Sequence, residues 1–136
     1  WHLDAARALY ARAVADGWDA DGRPGFVYTV DFEGRPVAHT RMWWVLAEAM
    51  GAAAALHEAT GESGYEDELA RWWAAAERFF VDRGAGSWHH ALDETNTPDP
   101  TVWGGKPDIY HSLQAVLFPG RPMTPSLPFV LREEVR

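Results

Sequence analysis

Apolar positions recur at helical spacing in four stretches of the chain, and short β-rich runs separate them. In residues 2–16, Leu3, Ala6, Leu9, Tyr10, Ala13 and Val14 form one stripe, which predicts an amphipathic helix closed by Gly17. Asp21-Gly22-Arg23-Pro24-Gly25 is a turn cluster. Phe26–Val30 is rich in β-formers and predicts a short strand, with Glu33-Gly34 as a hairpin turn and Arg35–Ala38 returning. Thr40 is a candidate N-cap for a second helix over 41–59, with Met42, Leu46, Ala49, Met50, Ala53 and Leu56 on one face. Trp44, Glu48 and Gly51 or Ala52 fall on another face. Gly61 closes this helix, and Ser63 or Gly64 opens a third that runs to about Asp82. Its inward positions are Tyr65, Leu69, Trp72, Trp73, Ala76 and Phe80.

Trp88–Leu92 then predicts a strand with a turn at Asp93–Asn96. Pro98 and Pro100 keep the following stretch extended. Lys106-Pro107-Asp108 starts a fourth helix to Phe118, with Pro at the tolerated first position. Pro119–Pro122 stops it, and the tail with Pro125 and Pro128 is expected to be coil with a short helical turn at most.

The two halves repeat at an offset of 62: Phe26–Asp31 aligns with Trp88–Asp93, and Pro36 with Pro98. Each half is a helix, a short hairpin and a second helix. Such units stack into toroids in which one helix of each pair lines the interior. Helices 41–59 and 107–118 would be the inner ones. Two copies do not close a ring, so further copies are expected upstream of residue 1. The chain starts at Trp1, already inside a helical pattern, and shows no signal peptide.

Composition narrows the function. The 136 residues carry a net charge of −8 with no basic run, which argues against a nucleic-acid partner. No apolar run reaches the roughly 18 residues that span a bilayer, so no membrane partner is expected. Cysteine is absent, which removes disulfides and thiol nucleophiles and fits a cytoplasmic location. Eight Trp, four Tyr and six Phe suit a large core or a site that stacks on sugar faces.

Of six His, no pair has the spacing of a helical zinc site, so no metal and no cofactor is expected. His89 and His90 are neighbours on a strand and point to opposite faces. His2 and His57 read as surface residues. His111 lies in the first turns of an inner helix, beside Asp108 and Tyr110. It is either a hydrogen-bonded core His or a general acid/base, a role that suits imidazole near neutral pH. Trp44 and Glu48, four apart, share a helix face. An inward Glu must be hydrogen-bonded, either structurally or to sugar hydroxyls. Trp103 could stack on a sugar or cover the barrel mouth, and covering is the expectation for Trp88.

Arg41–Ala49, Gly86-Ser87-Trp88, and Trp103–Ala115 with its Tyr110-His111-Ser112-Leu113-Gln114 block resemble the N-acylglucosamine 2-epimerase superfamily along essentially the whole chain. The resemblance is to the branch holding mannose isomerase and sulfoquinovose isomerase. It implies an all-α fold, an (α/α)6 barrel with short β-hairpins between helices. Residues 1–136 would be a partial single domain, about its last third. It also implies metal-free proton transfer through a cis-enediol(ate) by two His. His111 matches the C-terminal one, and the other belongs to a motif upstream of residue 1. Trp44 and Glu48 match inner-helix residues lining the sugar site. Where the sulfosugar enzymes place Gln, this chain has His90 and Pro107. That tilts the expectation to a neutral monosaccharide, with D-mannose to D-fructose isomerisation first and His90 touching the far hydroxyls. The alternatives are a 2-epimerase on the same fold or a non-catalytic carbohydrate-binding segment. A glycoside hydrolase would need a second carboxylate opposite Glu48. An isolated segment would leave inner apolar residues uncovered, so either association with the upstream part of the chain or a homo-oligomer is expected.

Overall fold

The computed structural model describes residues 1–122 and 126–134. It is mostly helical, with short two-stranded pairings between helices. The helices are α1 (His2–Gly17), α2 (Trp43–Thr60), α3 (Ser63–Ala75), α4 (Ile109–Leu117) and α5 (Leu127–Glu134). A π-helical turn, Ala76–Phe80, continues α3. The strands are β1 (Thr29–Val30), β2 (Pro36–Ala38), β3 (Arg41–Met42) and β4 (Ala91–Leu92). None of the described helices is long and apolar enough to cross a membrane.

The internal repeat is real at the level of hydrogen bonds. β1 pairs with β2 through Val30↔Pro36, and Leu92↔Pro98 bridge in the same sense at an offset of 62. In the first turn Asp31 Oδ1 accepts from the backbone N–H of Glu33 (3.0 Å) and Arg35 (2.9 Å). In the second, Asp93 Oδ1 accepts from Thr95 (2.8 Å) and Thr97 (2.9 Å). Gly34 and Asn96 take the same left-handed position, at φ 79° and 63°, where Asn is among the few tolerated side chains. Backbone donors from Arg35 hold the Asp31 carboxyl below its ordinary range, and the Thr95 hydroxyl leads the same effect at Asp93.

The two units are locked together where the first hands over to α2. β3 pairs antiparallel with β4 through Arg41↔Leu92 and Met42↔Ala91. Asn96 donates to the Pro24 carbonyl (2.9 Å), and Arg23 to that of Glu94 (2.8 Å). Arg41 is 1% exposed and donates to both oxygens of Asp21, at 2.7 and 2.9 Å, and to the carbonyl of His39. Beneath this joint, Trp72 is fully buried, with the rings of Phe26, Tyr10 and Trp18 at 5.4, 5.9 and 6.0 Å. Tyr10 also donates to Glu68 (2.7 Å), tying α1 to α3; burial and that carboxylate push its hydroxyl pKa up.

Several boundaries differ from the sequence pattern. Thr40 does not cap α2. Residues 41 and 42 are drawn into the pairing with β4, and the cap position falls on Met42, without a side-chain bond. Pro107 is not the first residue of α4. It precedes the cap Asp108, whose carboxylate accepts from Tyr110 N–H (2.8 Å). The strands are shorter than Phe26–Val30 and Trp88–Leu92, because Phe26 and Trp88 make only isolated bridges to Trp18 and Val81. Trp73 points outward at 36% exposure. The tail holds a two-turn helix, α5, with Arg121 bonded to Glu134 (3.1 Å); Pro125 lies outside the described residues.

Candidate active site

α2 and α4 pack side by side, and Gly51 permits the closest approach: a Cβ there would sit 3.2 Å from Phe118. That packing brings Glu48, in the second turn of α2, to His111, in the first turn of α4. His111 Nδ1 lies 2.7 Å from Glu48 Oε1. An ionised carboxylate only accepts, so Nδ1 carries the hydrogen and Nε2 takes no part in that bond. The His111 side chain is 26% exposed and that of Glu48 53%. The inward Glu of the sequence pattern is therefore half open and is partnered by the imidazole, rather than by an Arg or the backbone.

Aromatic rings frame this pair. The Trp43 ring lies edge-on to His111 at 5.9 Å, and Trp44 is tilted against it at 6.2 Å. Tyr28, on the first hairpin, meets Trp44 edge-on at 6.2 Å. Trp43 also contacts His90 (4.9 Å) and Trp103 (6.1 Å), so one buried indole joins His90 to His111. The Trp43 backbone N–H donates to the His90 carbonyl (3.1 Å), which fixes the start of α2 against the residue before β4. His90 Nδ1 is buried and takes no hydrogen bond among the described residues. Of the four residues singled out from sequence, Trp44, Glu48 and His111 meet directly, and His90 reaches them through the Trp43 ring. On the other side of α2, Trp44 and Glu48 line an open groove of about 590 Å³ whose far wall is α1, including Ala6, Tyr10 and Ala13.

The remaining His lie elsewhere. His2 packs on Trp1 at the surface, and His57 donates to the Glu62 carbonyl (3.1 Å). His39 bonds Asp21 (2.9 Å) beside Arg41. Burial pushes the Asp21 carboxyl up, but the hydrogen bonds from Arg41 and His39 outweigh it and bring it down to about 2. Trp88 is buried, whereas Trp103 is half exposed over His90. Among the described residues, no three His, Asp or Glu converge as a metal-ligand set. Sequence reasoning missed the Asp21–Arg41 pair and the Asp82–Lys106 pair. Both join segments 20 or more residues apart in sequence, and no periodic pattern marks them.

The chain is 51% identical over 128 residues to D-mannose isomerase of Thermobifida fusca, and 50% identical over 127 residues to that of Pseudomonas cannabina pv. alisalensis. In each case 93% of this chain is aligned and 31% of the relative, so the chain spans under a third of their length. Among solved structures, a D-mannose isomerase superposes with TM-score 0.76 at 25% identity, over 87% of this chain and 30% of that one. The cellobiose 2-epimerase of Spirochaeta thermophila DSM 6192 superposes with TM-score 0.65 at 28% identity, over 71% and 24%. The profile of the N-acylglucosamine 2-epimerase (GlcNAc 2-epimerase) family matches residues 1–115. The chain belongs to the N-acylglucosamine 2-epimerase family.

Proposed function

We propose that residues 1–136 are the C-terminal third of an (α/α)6-barrel aldose–ketose isomerase that interconverts D-mannose and D-fructose. The observation that carries this reading is the 2.7 Å pair between His111 Nδ1 and Glu48, set among Trp43, Trp44 and His90. The identity to D-mannose isomerases supports the choice of sugar.

Glu48 holds the Nδ1–H tautomer, so His111 Nε2 is the atom that exchanges protons with the substrate. In the forward direction a base removes the C2 proton of the open-chain aldose. The C2–H electron pair becomes the C1–C2 π bond as O1 gains a proton. The cis-enediol then loses its O2 proton, the C2 carbonyl forms, and C1 takes up a proton. Each proton removed is matched by one returned, which two imidazoles on opposite sides of the sugar can manage without a metal or cofactor. His111 is one of them, and the other lies in the part of the longer chain that precedes residue 1. Trp44 offers a sugar-stacking face, and His90 Nε2 and Glu48's second oxygen offer polar contacts to hydroxyls. The upstream part of that chain covers the apolar groove between α1 and α2.

The test is proton NMR of the full-length chain with D-mannose in deuterium oxide. D-fructose deuterated at C1 is expected. D-glucose instead would assign a 2-epimerase, to which the cellobiose 2-epimerase likeness also points. Neither product, from a folded full-length chain, would sink the reading.

A further inference from the structure

His111 stands at the start of α4, which packs along α2 but buries a single residue. Ala115 is the one buried residue of α4, while Ile109, Tyr110, Leu113 and Val116 are exposed. The helix entrance has an anchor of its own. Lys106, five residues before His111, makes an ion pair with Asp82 at the far end of the π turn that closes α3. The Asp82 carboxylate is itself fixed, because its Oδ1 accepts from the backbone N–H of Gly84 (2.9 Å) and Ala85 (3.0 Å). The Asp82 N–H donates to the Ser87 carbonyl (2.9 Å). The path from Lys106 to His111 is stiff: Pro107 is buried with its φ fixed by the ring, and Asp108 caps the helix.

We propose that Lys106 is a positioning residue for His111, which acts through its clamp on Asp82 to hold the first turn of α4 within hydrogen-bond reach of Glu48. A 2.7 Å bond is lost once the partners separate by about 1 Å more, so a small shift of the helix entrance suffices to free the imidazole. The hydrogen bond from Lys106 leads the causes that keep the Asp82 carboxyl well below its ordinary range. The consequence for turnover rests on the isomerase reading; the placement of His111 does not.

The test reads the tautomer of His111 in the full-length chain by nitrogen-15 NMR at about pH 8, where an ordinary imidazole is neutral. The wild type is expected to show His111 as the Nδ1–H form. Lys106→Met and Asp82→Asn, which meet at one contact, are each expected to move its signals toward the Nε2–H form and leave His2 and His57 unchanged. Lys106→Arg is expected to restore the wild-type pattern. Retention of Nδ1–H in Lys106→Met, or its absence from the wild type, overturns the proposal. If Lys106→Met fails to fold, Asp82→Asn carries the same two outcomes. A full-length chain with no turnover of mannose, together with the tautomer change in these variants, would refute the isomerase and support the clamp.

Discussion

Replacement of Arg41 by Met tests whether the joint between the two units is held by its buried ion pair. Arg41 is 1% exposed, and the Asp21 side chain 7%. The Met side chain fills much of the space but leaves Asp21 without the guanidinium. Breaking a buried pair in this way costs about 3–5 kcal/mol. His39 still donates to Asp21 and is itself 42% exposed, which places the expected loss at the lower end, about 3 kcal/mol. With a urea slope of roughly 1.5 kcal/mol/M for a small domain, the midpoint should fall by about 2 M. The double variant Arg41→Met/Asp21→Leu removes both charges and should recover at least half of that loss, because the penalty lies in the orphaned carboxylate. The pH dependence follows with a definite sign. The Asp21 carboxyl is at about 2 in the fold and near 3.9 in the unfolded chain. Its contribution is therefore complete above pH ~4 and fades as the pH falls toward 2. A single variant that loses under about 1 kcal/mol, or a double variant no better than the single, would refute the reasoning.

Four further outcomes follow. His111→Ala in the full-length chain should lower kcat by a factor of about 10²–10⁴, and a melting temperature within a few degrees of wild type would show that the fold is kept. Glu48→Gln keeps the shape but removes the anionic acceptor, so kcat should fall by more than KM changes, as steady-state kinetics on mannose would read. Trp72→Ala should cost about 3–5 kcal/mol in urea unfolding, since the indole is fully buried among three aromatic rings. Gly25→Ala should cost about 1–3 kcal/mol in the same assay, because φ is 125° and a Cβ would meet Arg41 Cγ at 3.1 Å.

Periodicity exposed the helices, and the 62-residue offset exposed the hairpins. The apolar stripe of α2 emerges with Leu46, Met50, Ala53 and Leu56 buried, while Glu48 shares the Trp44 face as the spacing required but lies open rather than inward. What periodicity could not reveal is competition between partners. Thr40 has the chemistry of a cap, yet Arg41 and Met42 gain a ladder with Leu92 and Ala91, and the helix starts two residues later. Pro107 suits a first helical position, but the Asp108 carboxylate reaches Tyr110 N–H and takes the cap. Pro128 in the tail suggested coil, though Pro is tolerated in a first turn, and α5 forms around it. The ion pairs of Asp21 and Asp82 span 20 and 24 residues and depend on how the segments dock.

The repeat also explains why the candidate site falls where it does. Glu48 and His111 are 63 residues apart, one more than the offset that relates the two hairpins. They are thus near-equivalent positions on successive second helices, and the repeat puts both at the same level beside the hairpins. Strict equivalence would pair Trp43, the first residue of α2, with residue 105, but α4 begins four residues later, at Ile109. The longer connection carries Trp103 over His90 and ends in Lys106-Pro107-Asp108. Its extra residues move the helix start, so the third residue of α4 meets the sixth of α2. Deletion of Gly104 and Gly105, both exposed, should therefore break the His111–Glu48 bond. Unchanged nitrogen-15 signals of His111 in that variant would show that packing along α2 and α4, rather than the connection, sets the register of the pair.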